Sequence, residues 1–95
     1  MAIGVILDFN GATLDQYDEV VAKMGFDPGG RGEPGGLFHW VTKTDAGIRI
    51  TDVWESREAF ERFAQEKIGP ITASVGVTAP PQITLCDVHN YLTAG

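Results

Sequence analysis

Basic residues and sulfur are scarce in this chain. Seven lysines and arginines face thirteen aspartates and glutamates, for a net charge of −6. That balance argues against electrostatic binding to nucleic acid or to an anionic membrane surface. The single cysteine, Cys86, can form neither an internal disulfide nor a thiolate metal cage, so the cytoplasm is the expected setting. Only two histidines are present, His39 and His89. They stand fifty residues apart without a matching carboxylate motif, and no metal site is expected. No apolar run approaches the roughly 18 residues a membrane span needs. The opening stretch Met1–Phe9 has no basic flank and meets Asp8 at once, which argues against a secretory signal.

What is present is an ordinary globular composition, 43% hydrophobic and 21% charged in 95 residues, and one domain over 1–95 is expected. Ala2–Phe9 is short, apolar and β-branched, a buried strand. Thr13 and Gln16 have capping-box spacing and open a helix whose stripe is Leu14, Tyr17, Val20, Val21 and Met24; Gly25 ends it. Gly25–Gly36 holds six glycines and two prolines in twelve residues and reads as loop. Leu37–Lys43 and Ile48–Glu55 are strand-like. Ser56 caps a second helix with an Ala59, Phe60, Phe63, Ala64 and Ile68 stripe. Gly69-Pro70 ends or kinks that helix, although Ile71, Ala73 and Val75 are placed to continue a looser turn. Ala79-Pro80-Pro81 enforces an extended connection, and Gln82–Leu92 reads as a long last strand. The order β-α-β-β-α-β predicts an α+β ferredoxin-like sandwich, with a four-stranded antiparallel sheet and both helices on one face.

Two helices cover one face of such a sheet, and a face in water should alternate apolar with polar. These strands do not alternate. Ile6 opposes Ile3, Val5, Leu7 and Phe9; Cys86, Val88 and Leu92 oppose Ile83, Leu85 and Tyr91; Phe38 and Trp40 oppose Leu37 and Val41. So much apolar surface exceeds what a monomer usually leaves in water, and a second copy of the chain is the simplest cover. The alternative is that the face lines a ligand cleft.

Thr44-Asp45-Ala46-Gly47 is a turn sequence. With Gly47 left-handed in a three-residue loop, Trp40 falls opposite Asp52 and Phe38 opposite Trp54, three aromatics around one carboxylate. That arrangement suits a flat aromatic ligand, with Asp52 as base or hydrogen-bond acceptor. A two-residue loop instead pairs His39 with Asp52, beside Val41 and Leu37. The first register is preferred because Ala46 resists the positive φ of the tighter turn. His89 shares a strand face with Asp87 and Tyr91, and a histidine is well suited to removing a phenolic proton near neutral pH. A structural role at a dimer seam also accounts for His89, as dimer-interface packing does for the tryptophans; His39 carries less weight. Asn10-Gly11 reads as a turn, and Cys86 as an inert thiol. Gly30-Arg31-Gly32-Glu33-Pro34-Gly35 matches G-x-G-x-x-G, but it follows a helix and leads into a strand, the wrong setting for a phosphate cradle. It reads as a linker or as a lid over a cleft.

The stretch Asp52-Val53-Trp54-Glu55-Ser56-Arg57-Glu58-Ala59-Phe60 resembles the strand-to-helix junction of the antibiotic-biosynthesis-monooxygenase-like group in the dimeric α/β-barrel superfamily. There, a tryptophan ending the third strand precedes a polar cap and an alanine-led helix. The resemblance implies a homodimeric α/β barrel enclosing a cavity. It also implies a cofactor-independent monooxygenase acting on a phenolic or polycyclic aromatic small molecule. In that reading His89 or Asp52 is the base, Trp40, Trp54 and Phe38 form the wall, and Tyr91 donates a hydrogen bond. Haem-degrading relatives tend to carry a histidine within or just after the second helix; Glu61–Gly69 has none, and no cofactor is expected. An isomerase, cyclase or lyase in the same cavity, or a non-catalytic ligand-binding or stress-related module, uses the same scaffold.

Overall fold

A computed structural model describes all residues, Met1–Gly95. The elements are β1 (Ile3–Asn10), α1 (Leu14–Met24), β2 (Gly36–Lys43), β3 (Gly47–Trp54), α2 (Arg57–Phe63), α3 (Gly69–Ser74) and β4 (Gln82–Asp87). The sheet order is β2-β3-β1-β4, with every neighbouring pair antiparallel. This is the ferredoxin-like βαββαβ sandwich that the order of elements predicts. No helix is long and apolar enough to cross a membrane.

The central strand β1 sets the two faces. Ile3, Val5, Leu7 and Phe9 are buried beneath the helices, where Ala12, Ile48, Trp54 and Phe60 complete the core. Strand pairing puts Trp54, Asp52, Ile50 and Ile48 on that inner face, opposite these four β1 residues in turn. The caps form as the spacing predicts. Thr13 and Gln16 exchange side-chain and backbone hydrogen bonds at 3.0 and 3.1 Å, and Ser56 Oγ accepts the Ala59 N–H at 3.1 Å.

Three expectations change. The hairpin closes through the two residues Asp45-Ala46, so His39, not Trp40, pairs with Asp52, and Trp40 pairs with Thr51. No non-glycine residue needs positive φ to do this, and Gly47 itself is not left-handed. Gly47 is required for a different reason: a Cβ there would run into the Phe9 carbonyl oxygen and the Gly11 amide, where the β1–α1 turn crosses the hairpin. The Gly11 N–H donates to the Ala46 carbonyl at 2.7 Å in that crossing. Gly47→Ala is expected to cost about 1–3 kcal/mol by overpacking. A denaturant midpoint unchanged from wild type would contradict the crossing.

The second helix does not stop at Gly69-Pro70. It widens into one π turn, Ala64–Ile68, and continues as α3. The wide turn lets the Gly69 N–H reach the Ala64 carbonyl and leaves Pro70 in the first turn of α3, where a missing N–H breaks nothing. The last strand is shorter than its apolar run, ending at Asp87. β1 runs out beside it at Ile3, and the final backbone bond is Val88 N–H to the Ala2 carbonyl at 3.1 Å. Val88–Leu92 continues past its only neighbour, so the residues after Asp87 have no strand to pair with.

Candidate active site

The corrected register gathers a set of side chains on the inner face. His39 on β2 and Asp52 on β3 are direct cross-strand partners, and Trp54 lies two residues beyond Asp52 on the same face. Tyr17, one helical turn past the α1 cap, reaches them from above. Asp52 is 5% exposed, yet both carboxylate oxygens are satisfied: Oδ1 by His39 Nδ1 at 2.6 Å and Oδ2 by Trp54 Nε1 at 3.0 Å. His39 Nε2 in turn meets Tyr17 Oη at 2.5 Å.

The donor inventory fixes how this chain runs. The indole N–H only donates and a carboxylate only accepts, so Nδ1 of His39 carries the hydrogen that faces Asp52. In the neutral imidazole that leaves Nε2 as an acceptor, and the Tyr17 hydroxyl donates to it. Burial raises the Tyr17 phenol above its ordinary value, and the charges of Asp52 and Asp18 raise it further. The phenol therefore stays protonated, as a donor must. The aromatic surroundings hold the chain in place. Tyr17 stacks on His39 with centroids 5.9 Å apart and planes 11° apart, and Trp54 packs edge-on to Phe60 and tilted against Phe63.

These groups border a cleft of about 1370 Å³ between the sheet and the helices. Leu7, Phe9, Ile50, Trp54, Phe63 and Ile68 form its apolar lining. The glycine-rich loop after α1 closes one side. Its Glu33 pairs with Lys67 at 2.7 Å, and the Lys67 ammonium lies 5.9 Å from the Phe26 ring centroid. The G-x-G-x-x-G segment thus borders the cleft, with no helix N-terminus following it. No three His, Cys, Asp or Glu side chains converge on a common point.

Of the residues singled out from the sequence, Asp52 and Trp54 meet on the inner face. Trp40 lies on the outer face of the sheet, about half exposed, and Phe38 shares that face, touching the cleft only where β2 bulges between Gly36 and Phe38. The expected wall of three aromatics around Asp52 is therefore split between the two faces. His89 and Tyr91 lie beyond the end of β4, both exposed, outside the cleft lining and unbonded to Asp52. His39 and Tyr17 take their places beside the carboxylate. Both were legible in part: His39 through the tighter-loop register, Tyr17 through its place in the α1 stripe.

The Tyr17 shift has a sign that alkaline titration can read. A phenol that holds its proton more tightly when folded stabilises the protein fully below the unfolded value, about 10, and loses that contribution as pH rises through the higher folded value. Unfolding free energy is expected to fall above about pH 10, with a shallower fall in Tyr17→Phe. Identical alkaline limbs in the two proteins would contradict the assignment.

No known family profile matches the sequence, and no curated protein sequence matches it. Solved structures do. A protein from Chloroflexus aurantiacus provisionally assigned as an antibiotic biosynthesis monooxygenase aligns over 100% of both chains at 22% identity, with a TM-score of 0.65. The monooxygenase ActVA-Orf6 of Streptomyces coelicolor, solved with nanaomycin D, aligns over 99% of this chain and 92% of its own at 18% identity and a TM-score of 0.58. SnoaB, a cofactor-independent oxygenase from Streptomyces nogalater, covers 98% of this chain and 97% of its own at 16% identity and 0.59. The chain shares the ferredoxin-like fold of these structures.

Proposed function

We propose that this protein is a cofactor-independent monooxygenase that oxidises a hydroxylated aromatic small molecule with dioxygen, using His39 as base and Asp52 to orient and charge-stabilise it. The observation that carries the reading is the His39–Asp52 pair at the border of an apolar cleft large enough for fused rings, its acceptor nitrogen held by the Tyr17 hydroxyl. The likeness to ActVA-Orf6 and SnoaB supports it at the level of the fold.

The chemistry needs little more than this pair. A phenolic hydroxyl gives its proton to His39 Nε2, and the imidazolium is held by the Asp52 carboxylate, as in other His–Asp dyads. The phenolate transfers one electron to dioxygen, and the aryloxyl radical and superoxide combine at a ring carbon to form a C–O bond. Protonation gives the hydroperoxide. Loss of the carbon-bound hydrogen and cleavage of the O–O bond release water and leave a quinone. One hydroxyarene and one dioxygen thus become one quinone and one water, and no external electron donor is consumed. The role that Asp52 and His89 share as candidate bases passes to His39, and Asp52 becomes its partner. Trp54 is the part of the aromatic wall that also fixes Asp52.

A second copy covering the outer sheet face completes the reading. Phe38, Trp40, Ile6, Val53 and Cys86 share that face, with Phe38 and Trp40 53% and 49% exposed. Burying several hundred Å² of it is worth roughly 10 kcal/mol before association costs are subtracted. Sedimentation is expected to give twice the 10.2 kDa chain mass, and Trp40→Lys a shift toward one copy; a wild-type monomer at high concentration contradicts the dimer. A cytoplasmic setting belongs to the same proposal, and a lone cysteine is compatible with it.

Dioxygen uptake tests the reaction. With 1-naphthol and dithranol as trial substrates, oxidation predicts one dioxygen consumed per quinone formed. Product formation under strict anaerobiosis would instead assign the same dyad to an isomerase or lyase.

A further inference from the structure

Tyr17 already presents to His39 the group that a phenolic ligand would present. Its hydroxyl occupies Nε2, the nitrogen the proposed reaction needs free, and its ring lies nearly parallel to the imidazole. The helix that carries it is loosely anchored to the sheet. No residue of α1 is buried. Its other tertiary side-chain bonds go to the segment around α3: Gln16 Nε2 to the Val75 carbonyl at 3.3 Å, and Lys23 Nζ to Ser74 Oγ at 3.1 Å. Tyr17–His39 is its one side-chain hydrogen bond to a strand. The cleft beside it leaves ample volume for the ring to turn away, and His39 is 47% exposed, within reach of an incoming molecule.

We propose that Tyr17 is an internal stand-in for the ligand. Its phenol holds the acceptor nitrogen of His39 until a ligand hydroxyl displaces it, so the cleft selects aromatics that carry a free hydroxyl. This rests on the reading of His39 as the base of the cleft. The exchange swaps one phenolic hydrogen bond for another and leaves no buried polar atom unpaired, because the displaced half-buried Tyr17 hydroxyl can turn to water. An aromatic without a hydroxyl gains nothing from the exchange. A carboxylate or carbonyl meets an acceptor with an acceptor. The internal contact also lowers the apparent affinity of every competing phenol by the fraction of molecules in which Nε2 is occupied.

The test is binding, measured under nitrogen so that turnover does not enter. 1-Naphthol is titrated into wild type, Tyr17→Phe and His39→Ala, with naphthalene as the ring-only probe and thermal melts to establish that each variant folds. Tyr17→Phe is expected to bind 1-naphthol about fivefold more tightly, the equivalent of one ordinary hydrogen bond freed from competition, while naphthalene affinity stays within twofold. In wild type labelled at the tyrosine Cζ carbons, saturating 1-naphthol is expected to shift the Tyr17 resonance and naphthalene is not. In His39→Ala the preference for 1-naphthol over naphthalene is expected to vanish. Equal or weaker binding of 1-naphthol to Tyr17→Phe overturns the proposal, as does a Tyr17 resonance unmoved at saturation or no 1-naphthol binding at all. If displacement occurs but no dioxygen is ever consumed, the oxidation reading fails and this one stands. If dioxygen is consumed and Tyr17 never moves, the reverse holds.

Discussion

Replacing His39 by alanine is expected to slow oxidation of a hydroxyarene by about 10²- to 10⁴-fold, the usual range for loss of a positioned general base. The loss should fall mainly on kcat. His39 is about half exposed and outside the buried core, so the protein remains folded, and the apolar cleft that holds the ring is intact. Asp52→Asn should follow part of the way. The amide keeps the size of the carboxylate but cannot stabilise an imidazolium, and its NH₂ group competes for the position that His39 Nδ1–H now occupies. Tryptophan fluorescence melts separate the two effects, since a catalytic loss without a change in midpoint assigns it to chemistry. A His39→Ala protein that turns over at the wild-type rate removes the base from the scheme.

The largest expected effect on stability is at Trp54. Its indole is 3% exposed, packs against Phe60 and Phe63, and donates Nε1–H to Asp52. Trp54→Ala removes the largest side chain in the core and strips one of the two donors from a buried carboxylate. Truncating a buried aromatic to alanine costs about 3–5 kcal/mol. Domains of this kind hold only about 5–15 kcal/mol in total, and only nine residues of this chain are buried, so little reserve exists to absorb the loss. Trp54→Ala is therefore expected to lower the urea midpoint severely or to leave the chain unfolded at 37 °C. Trp54→Phe keeps a ring against Phe60 and Phe63 but leaves Asp52 Oδ2 without its donor, and about 1–3 kcal/mol should separate it from wild type. An unchanged midpoint in Trp54→Phe would show that the hydrogen bond to Asp52 adds nothing to the fold.

The order and identity of the elements were readable because local signals agreed with the global fold. The short apolar, β-branched run of β1, the Thr13–Gln16 and Ser56 caps and the glycine-rich interruption all pointed the same way, and the structure carries each of them. The site was harder to read because side-chain period in a strand is two, so a single-residue change of loop length moves every side chain of β2 to the other face. Gly47 looked like the left-handed residue of a longer turn. Its real constraint is the passage of β1 across the hairpin, a contact between residues almost forty positions apart that no local pattern contains. That one difference sent Trp40 and Phe38 to the outer face and brought His39 to Asp52. The C-terminal run failed for a related reason. Val88–Leu92 has strand-like residues, but a strand exists only where a neighbour supplies hydrogen bonds, and β1 ends first. His89 and Tyr91 therefore lost the placement that the parity of a long strand gave them. Pro70 was legible as a local disturbance, but the π turn that lets the helix pass it has no composition signal of its own.

The most direct measurement is a crystal structure of the protein with 1-naphthol bound, grown and cooled under nitrogen. The expected result is a naphthol ring in the cleft between the sheet and the helices, its oxygen within about 3 Å of His39 Nε2, with His39 still bonded to Asp52. A ring seated against Trp40 on the outer face of the sheet, with the inner cleft empty and His39 Nε2 untouched by the ligand, would contradict the assignment of His39 and Asp52 as the reactive centre.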